Sequence, residues 1–278
     1  MIALPSGEEV RAVARGRIKR KGAILAGDRV LVHVTSEGDA VVEDVLERSS
    51  VLIRPPVANV SLAVVVMACA NPPPNMELLD RILLQVEREG IRALLVFSKV
   101  DLIAQDEAKR LAAAYEKAGY RAVFTSVHTM IGIDDLAEEL VGEVSVLAGP
   151  SGVGKSSLLN ALIPGANLET EAVSVKTQRG RHTTREVTLL PLPKGGWVAD
   201  SPGFSTLAVP ELDPRDLPNL YPEFRDVGNS CRFPGCLHRK ETGCAVQDAL
   251  ERGDVDAERY RRYLRILNEV ELNFERRY

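Results

Sequence analysis

The sequence predicts a multidomain chain with an N-terminal β-barrel, a central α/β unit and a C-terminal, mostly helical unit. Three observations lead to this prediction. Short strand-like runs separated by turn residues fill residues 1–56. Strand and helix patterns alternate over residues 57–212, as in a parallel sheet covered by helices. From residue 213 to residue 278 the strand patterns stop, and apolar residues recur at helical spacing.

The first unit has the pattern of a small barrel. Its strand-like runs cover residues 13–19, 29–35, 40–46 and 51–55, and turn signals separate them. That many short strands in so short a length suit an OB-type fold. A basic run without any acid could contact nucleic-acid phosphates, or it could be an ordinary solvated face. The run comprises Arg11, Arg15, Arg17, Lys19, Arg20 and Lys21.

The central unit contains a glycine-rich loop, GPSGVGKS, between a strand-like run and a helix-forming segment. The loop satisfies the pattern G-x-x-x-x-G-K-[ST], in which backbone amides converge on phosphate oxygens. Lys155 would add charge at the β- and γ-phosphates, and the Ser156 hydroxyl would ligate Mg²⁺. The pattern alone does not distinguish ATP from GTP. The predicted phosphate-binding residues are Gly149, Pro150, Ser151, Gly152, Val153, Gly154, Lys155, Ser156 and Ser157.

A second motif, Ser98-Lys-Val-Asp101, follows the strand-like run that ends at Phe97 and indicates which base is bound. The Asp101 carboxylate can accept from both N1 and the 2-amino group of guanine, a donor pair that adenine lacks. The aliphatic stem of Lys99 can cover the base. GTPases commonly have Asn or Thr where this chain has Ser98, and a solvated turn is the alternative reading of so short a match. Ser126 follows the next strand, where GTPases place a backbone contact to the guanine oxygen.

Two further stretches have the composition of nucleotide-sensing switches. Asp200-Ser-Pro-Gly203 matches D-x-x-G, in which the aspartate reaches Mg²⁺ through water and the glycine amide senses the γ-phosphate. A plain Pro-Gly turn is the alternative. The basic, hydrophilic stretch 176–185 contains Thr183 and Thr184, either of which could ligate Mg²⁺. The predicted magnesium ligands are Ser156, Thr184 and Asp200.

The residue that orients the attacking water is not obvious. Ras-like enzymes have a glutamine just after the D-x-x-G glycine, where this chain has Phe204. We therefore expect slow intrinsic hydrolysis. His182 is the internal candidate for the missing role once a partner orders its loop, and a solvent-exposed loop histidine is the alternative. The predicted catalytic residues are His182, Thr184, Asp200 and Gly203.

The order of these motifs along the chain is unusual. The base-reading motif precedes the phosphate loop, whereas ordinary GTPases begin with that loop. A rotated connectivity keeps the contacts within the sheet and moves only the chain ends. We therefore expect the central unit to be a P-loop GTPase domain with a circularly permuted order.

The C-terminal unit contains four metal-ligating side chains within residues 231–244. In a reducing cytoplasm, such a cluster favours one tetrahedral, structural Zn²⁺ site over disulfides. Cys69 stands alone in an apolar run and is expected to be a buried thiol. The predicted zinc ligands are Cys231, Cys236, His238 and Cys244.

A basic, aromatic helix pattern follows the cysteine cluster. Tyr260 and Tyr263 lie at helical spacing among arginines. The arginines could contact RNA, or the aromatic rings could pack while the charges stay in water. The arginines are Arg259, Arg261, Arg262 and Arg265.

The composition is that of an ordinary globular protein. The 278 residues are 45% hydrophobic and carry a net charge of −4, which does not by itself indicate a nucleic-acid binder. No apolar run reaches the roughly 20 residues that a membrane-spanning helix needs. The N-terminus lacks the basic and apolar regions of a signal peptide. We expect a cytoplasmic protein without membrane contact, and a monomer.

The chain as a whole resembles the RsgA (YjeQ) family, bacterial GTPases that depend on the small ribosomal subunit. The resemblance rests on the basic β-rich N-terminus, the order SKVD, GPSGVGKS, GRHTTRE and DSPGF, and the spacing C-x4-C-x-H-x5-C before an Arg- and Tyr-rich helix. It implies an N-terminal OB fold, a central GTPase that binds GTP or GDP with Mg²⁺, and a zinc-bearing C-terminal domain. It also implies a role in late maturation of the 30S subunit, contact with its 16S rRNA, and ribosome-stimulated hydrolysis. The departures are Ser98 and a short N-terminal arm.

Two other functions fit parts of the pattern. The chain could be a P-loop ATPase or small-molecule kinase in which the SKVD match is accidental. It could also be an RNA-binding scaffold whose nucleotide site is a switch without hydrolysis. Neither alternative explains the whole permuted set of motifs.

Overall fold

The computed structural model describes residues 1–4, 8–14, 23–34, 40–53, 55–168, 187–200, 209 and 211–276, with Ile53 and Asp200 described by their backbone alone. The N-terminal unit consists of short strands. These are β1 (Ile2–Ala3), β2 (Glu9–Val10), β3 (Ala12–Ala14), β4 (Val30–Val34), β5 (Ala40–Val45), β6 (Val51–Ile53) and β7 (Pro56–Ala58). Strand β5 lies between β3, which is parallel to it, and β4, which is antiparallel. Within the described ranges the strands form three separate sheets, so the OB-type fold stays a prediction.

Asn59 ends the N-terminal unit. Its side chain accepts a hydrogen bond from the Ser49 amide at 2.9 Å and donates one to the Gly27 carbonyl at 2.8 Å. Gly27 has a φ of +86°, and a Cβ at this position would lie 2.1 Å from the Ala58 carbonyl oxygen, so the approach requires glycine. Because β7 pairs with β6, the unit runs to Asn59 and passes the predicted boundary at residue 56.

A six-stranded sheet is the centre of the next unit. Its strands are β8 (Leu62–Ala68), β9 (Arg92–Ser98), β10 (Arg121–Thr125), β11 (Val144–Ala148), β12 (Thr188–Pro191) and β13 (Trp197–Asp200). The spatial order is β10-β9-β8-β11-β13-β12, and the first five strands are parallel. Strand β12 is antiparallel to β13 at the edge. The parallel α/β sheet predicted from the sequence is therefore present, and the carboxyl ends of β8, β9, β10, β11 and β13 share one edge.

Four helices cover the two faces of this sheet. They are α1 (Met76–Arg88), α2 (Gln105–Lys117), α3 (Ile133–Glu139) and α4 (Lys155–Leu162). Helix α1 begins just after Asn75, because the Asn75 side chain accepts from the Leu78 amide at 2.9 Å and caps the first turn. Apolar residues of α1 and α2 pack on one face of the sheet, and those of α3 and α4 pack on the other. The phosphate loop and α4 thus belong to the second face.

The C-terminal unit is helical, as predicted. A 3₁₀ helix (Pro214–Leu220) is capped by Asp213. It is followed by α5 (Pro222–Gly228), α6 (Ala245–Glu251) and α7 (Ala257–Glu275). Its core is rich in aromatic rings, because Tyr221, Phe224 and Tyr263 pack with centroid distances of 4.9–5.1 Å. No helix in the described ranges combines the length and the apolar character needed to cross a membrane.

A buried ionic network joins α7 to α1. Arg259, only 2% exposed, donates to the carboxylates of Asp80 in α1 and Glu223 in α5. Arg262 donates to the other oxygen of Asp80, Oδ2. The Tyr115 hydroxyl donates at 2.8 Å to Oδ1, the oxygen that Arg259 also binds. Burial alone would lower the pKa of Arg259, but the carboxylates of Asp80 and Glu223 raise this pKa well above its ordinary value. The guanidinium therefore stays charged in the interior.

The network corrects the reading of the basic C-terminal helix. Both Arg259 and Arg262 were expected either to contact RNA or to stay in water, and neither is available for RNA or fully solvated. Tyr260 and Tyr263 do pack inside the unit, as the second reading proposed. Arg261 and Arg265 are more than half exposed and pair with Glu258 and Glu77. The helix uses its buried arginines to hold the C-terminal unit against the sheet-containing unit.

Candidate nucleotide site and metal centre

The glycine-rich loop lies between β11 and α4, at the carboxyl edge of the parallel strands. Gly149 has a φ of +134°, and a Cβ there would lie 2.2 Å from the Val66 carbonyl oxygen of β8, so only glycine allows the strand and the loop to approach. Val153 is fully buried and anchors the middle of the loop in the core. The Lys155 ammonium donates to the carbonyls of Gly149 and Pro150 at 2.8 and 2.7 Å. It therefore lies over the loop, where phosphates are expected.

The base-reading turn contacts this loop directly. Ser98 is the last residue of β9, and its hydroxyl donates to the Val153 carbonyl at 2.6 Å across a sequence separation of 55 positions. Lys99 adopts a left-handed φ of 59°, and its ammonium donates to the Gly152 carbonyl at 2.6 Å. Asp101 follows in an exposed 3₁₀ turn. Two motifs that are distant in sequence are therefore in direct contact.

Ser126 makes hydrogen bonds within the turn that follows β10. The Ser126 amide donates to the Ile131 carbonyl at 3.0 Å, and its hydroxyl accepts from the Thr129 amide at 3.1 Å. The residue is buried, and its backbone donor is already used within the turn. Ser126 thus shapes the loop that follows β10.

The predicted switch residues are only partly within the described ranges. Asp200 ends β13, which is paired with β11 through Ala199 and Val146, so its backbone lies at the same sheet edge as the phosphate loop. His182, Thr183, Thr184 and Gly203 lie outside the described residues, as do Phe204 and the basic residues from Arg15 to Lys21.

The four predicted zinc ligands come together in the C-terminal unit. The ligand atoms of Cys231, Cys236, His238 and Cys244 all lie within 4.8 Å of one another. His238 Nδ1 is 3.6 Å from Cys231 Sγ and 3.4 Å from Cys244 Sγ, and the Cys231 and Cys244 sulfurs are 4.0 Å apart. A tetrahedral ion with bonds of about 2.0–2.3 Å holds its ligand atoms roughly 3.3–3.8 Å apart. The arrangement fits one metal ion with four protein ligands.

Tyrosines of α7 hold the loop that carries His238. The hydroxyl of Tyr260 donates to the His238 carbonyl at 2.6 Å, and that of Tyr263 donates to the Leu237 carbonyl at 2.7 Å. Burial lowers the pKa of His238, which keeps its imidazole neutral and able to ligate. Burial also raises the pKa of Cys236 to about 12. Ionised thiolates in this position therefore need a cation beside them.

Comparison with known proteins decides the family. A model of the RsgA GTPase family matches residues 45–210. A protein named small ribosomal subunit biogenesis GTPase RsgA from Moorella thermoacetica is 48% identical, over 92% of this chain and 88% of the relative. Its counterpart from Carboxydothermus hydrogenoformans is 45% identical, over 92% of this chain and 89% of the relative. The chain belongs to the RsgA GTPase family.

Solved structures agree with this membership of the RsgA GTPase family. YjeQ from Thermotoga maritima is 34% identical and superposes with a TM-score of 0.83, over 96% of this chain and 91% of its own. YloQ, described as a circularly permuted GTPase, is also 34% identical, with a TM-score of 0.81 over 98% of this chain and 89% of its own. The predicted family and the circularly permuted order are confirmed.

Proposed function

We propose that this chain hydrolyses GTP to GDP and phosphate and acts in late maturation of the small ribosomal subunit, bound to the 30S particle and its 16S rRNA. The observation that carries the proposal is the direct contact between the base-reading turn and the phosphate loop, through Ser98 and Val153. Membership of a family whose relatives are named small ribosomal subunit biogenesis GTPases supplies the biological role. Such a factor works where ribosomal subunits are assembled, in the bacterial cytoplasm.

The guanine base binds beside the turn at Asp101. The carboxylate accepts two hydrogen bonds from guanine and would face no matching donors on adenine. The Lys99 stem lies along the base while its ammonium is held at the Gly152 carbonyl. We assign the contact with the guanine oxygen to the amide of Val127, because the Ser126 amide already donates to Ile131.

The triphosphate lies in the loop that Lys155 crosses. Binding of phosphate oxygens would draw the ammonium away from the Gly149 and Pro150 carbonyls, to which it now donates. The residues that fit Mg²⁺ are Ser156 at the start of α4, Asp200 at the end of β13, and Thr184. When bound, Mg²⁺ neutralises charge that develops on the β- and γ-phosphates.

The C-terminal cluster fits a single structural Zn²⁺. All four ligand positions are filled by protein atoms, which leaves none for a water or substrate. The ion would hold together the segment between α5 and α6. Because the ion would have no open coordination position, we expect it to have a structural role and no part in hydrolysis.

Turnover of GTP by the purified chain is expected to be slow alone and to rise at least tenfold with purified 30S subunits. The reason is that Phe204 cannot orient water, so an added partner must order the switch that contains His182. The measurement is release of phosphate from GTP at fixed protein concentration, with and without 30S subunits, and with 50S subunits as the matched control. Turnover that stays undetectable with 30S subunits would favour the scaffold without hydrolysis.

His182→Ala is the variant that examines the water-orienting role. The stimulated rate should fall at least tenfold, while the affinity for GDP stays the same, because the substitution leaves the base-reading turn and the phosphate loop unchanged. His33→Ala is the control, since His33 is an exposed histidine in β4, outside the nucleotide site. A stimulated rate that survives His182→Ala unchanged removes His182 from the mechanism.

A further inference from the structure

Ser98 and Thr125 lie side by side beneath the base-reading turn. They are the last residues of β9 and β10, and they are paired in the parallel register of the sheet. Residues two positions earlier, Val96 and Val123, belong to the core on the face that holds the phosphate loop. Because side chains alternate along a strand, Ser98 and Thr125 point to that same face. Both residues are buried, with 3% and 0% of their surface exposed.

The two hydroxyl groups are satisfied very differently. The single proton of the Ser98 hydroxyl is donated to the Val153 carbonyl at 2.6 Å. The Thr125 Oγ1 is buried and has no hydrogen-bond partner among the residues that the structure describes. Buried polar groups are nearly always paired, so an unpaired hydroxyl beside a ligand site calls for an explanation. The base-reading turn is thus tied to the phosphate loop on one side and lacks a side-chain tie to β10 on the other.

We propose that Ser98 holds the base-reading turn through its bond to Val153 alone and leaves the Thr125 hydroxyl as an unused second anchor, so that guanine nucleotide dissociates faster than it would if both anchors were used. The inference rests on the proposed function. A serine at position 98 has one hydroxyl and holds one neighbour. An amide side chain carries both a donor and an acceptor, so it would keep the Val153 bond and also reach Thr125. We therefore expect this chain to release its nucleotide faster than a variant with an amide side chain at position 98.

A double-mutant cycle tests the pair. The measurement is the dissociation rate of fluorescently labelled GDP from the full-length protein, chased with excess unlabelled GDP. Ser98→Asn is expected to slow dissociation about threefold to tenfold, the effect of one added hydrogen bond. Thr125→Val alone should leave the rate within about twofold, because the deleted hydroxyl has no partner. The combined variant should return to the rate of the unmodified protein, so the two effects are not additive.

A matched variant separates a hydrogen bond from a mere change of size. Ser98→Asp has the same shape as Ser98→Asn but offers no amide donor to the Val153 carbonyl. It should speed dissociation while Ser98→Asn slows it. Equal effects of the two variants on the rate would overturn the proposal, because size alone would then explain them.

If Ser98→Asn disturbs folding, Thr125→Val still tests the proposal. The melting temperature of the nucleotide-free Thr125→Val protein should be unchanged or higher, since an unpaired buried hydroxyl is replaced by a methyl group of the same shape. A fall of several degrees, or dissociation that speeds up threefold or more, shows that the hydroxyl is already bonded and overturns the inference. Absence of any guanine-nucleotide binding by the unmodified chain would instead contradict the proposed function itself.

Discussion

Replacing Arg259 with methionine is expected to lower the free energy of unfolding by about 3–5 kcal/mol, the usual effect of removing one partner from a buried ion pair. The change leaves Glu223 buried without its cation and takes one of two cations from Asp80. The guanidinium also lies 4.8–5.6 Å from the ring centroids of Tyr115, Tyr120 and Tyr221, and these cation–π contacts disappear with it.

The measurement is denaturant unfolding of the full-length protein, followed by the fluorescence of its tyrosines and its tryptophan. Arg261→Met is the matched control, because Arg261 is on the same helix but is 60% exposed in its pair with Glu258. That control should change the unfolding free energy by less than about 1 kcal/mol. A loss below about 1 kcal/mol for Arg259→Met would show that the network does not hold the units together.

The Arg259 network has a consequence for the nucleotide site. Helix α1, which carries Asp80, connects β8 to β9, and the base-reading turn follows β9 directly. The C-terminal unit is therefore fixed to the part of the sheet that reads the base. Arg81 of α1 pairs in addition with Glu269 of α7 at 2.6 Å. A partner that bends or moves the C-terminal unit would act on α1 first.

Removal of the metal is expected to unfold the C-terminal unit. Cys244 is buried at the start of α6, and the cluster is packed against the aromatic core through a contact of 5.7 Å between the rings of Phe224 and His238. Metal binding by small Cys/His sites is worth about 10–16 kcal/mol in isolated zinc fingers, so its loss exceeds what this small core supplies. Cys244→Ser should lose the metal and the protection of α6 and α7 from hydrogen exchange.

Two measurements check this prediction. Elemental analysis should find one zinc ion per unmodified chain and almost none in Cys244→Ser, and hydrogen exchange should report the local unfolding. Cys69→Ala is the control, because Cys69 is a buried thiol just after β8, outside the cluster, and its isolated position in the sequence predicts this burial. Full zinc content in Cys244→Ser, or metal-free protein with an unchanged melting temperature, would contradict the assignment.

Strong local signals account for what the sequence predicts well. Strands β8 and β11 and helix α1 follow from local signals, since apolar runs, the Asn75 cap and a terminal glycine act within a few residues. The zinc cluster is equally local, with all four ligands inside residues 231–244. The circular permutation is also readable, because it is a matter of motif order alone.

Non-local contacts account for what the sequence does not predict. Asp80 and Arg259 are 179 positions apart, and only the folded chain brings them together. A signal was present, because Asp80 lies four residues after Met76 on the apolar side of α1, where a carboxylate needs a buried partner. The bond from Ser98 to Val153 and the internal bond of the Ser126 amide depend in the same way on how separate strands end beside each other.

One guanine nucleotide must bridge Asp101 and Lys155 if the two halves of the permuted domain form a single site. Calorimetric titration measures this directly. The unmodified chain should bind one GDP, which GTP displaces and ATP does not. Asp101→Asn should weaken GDP at least about a hundredfold, since it removes a charged acceptor of two hydrogen bonds, and should admit xanthosine diphosphate, whose oxygen at C2 accepts from the new amide. Lys155→Ala should weaken both nucleotides. Equal affinity for GTP and ATP, or unchanged GDP binding in Asp101→Asn, would show that the turn at Asp101 and the loop at Lys155 do not share a ligand.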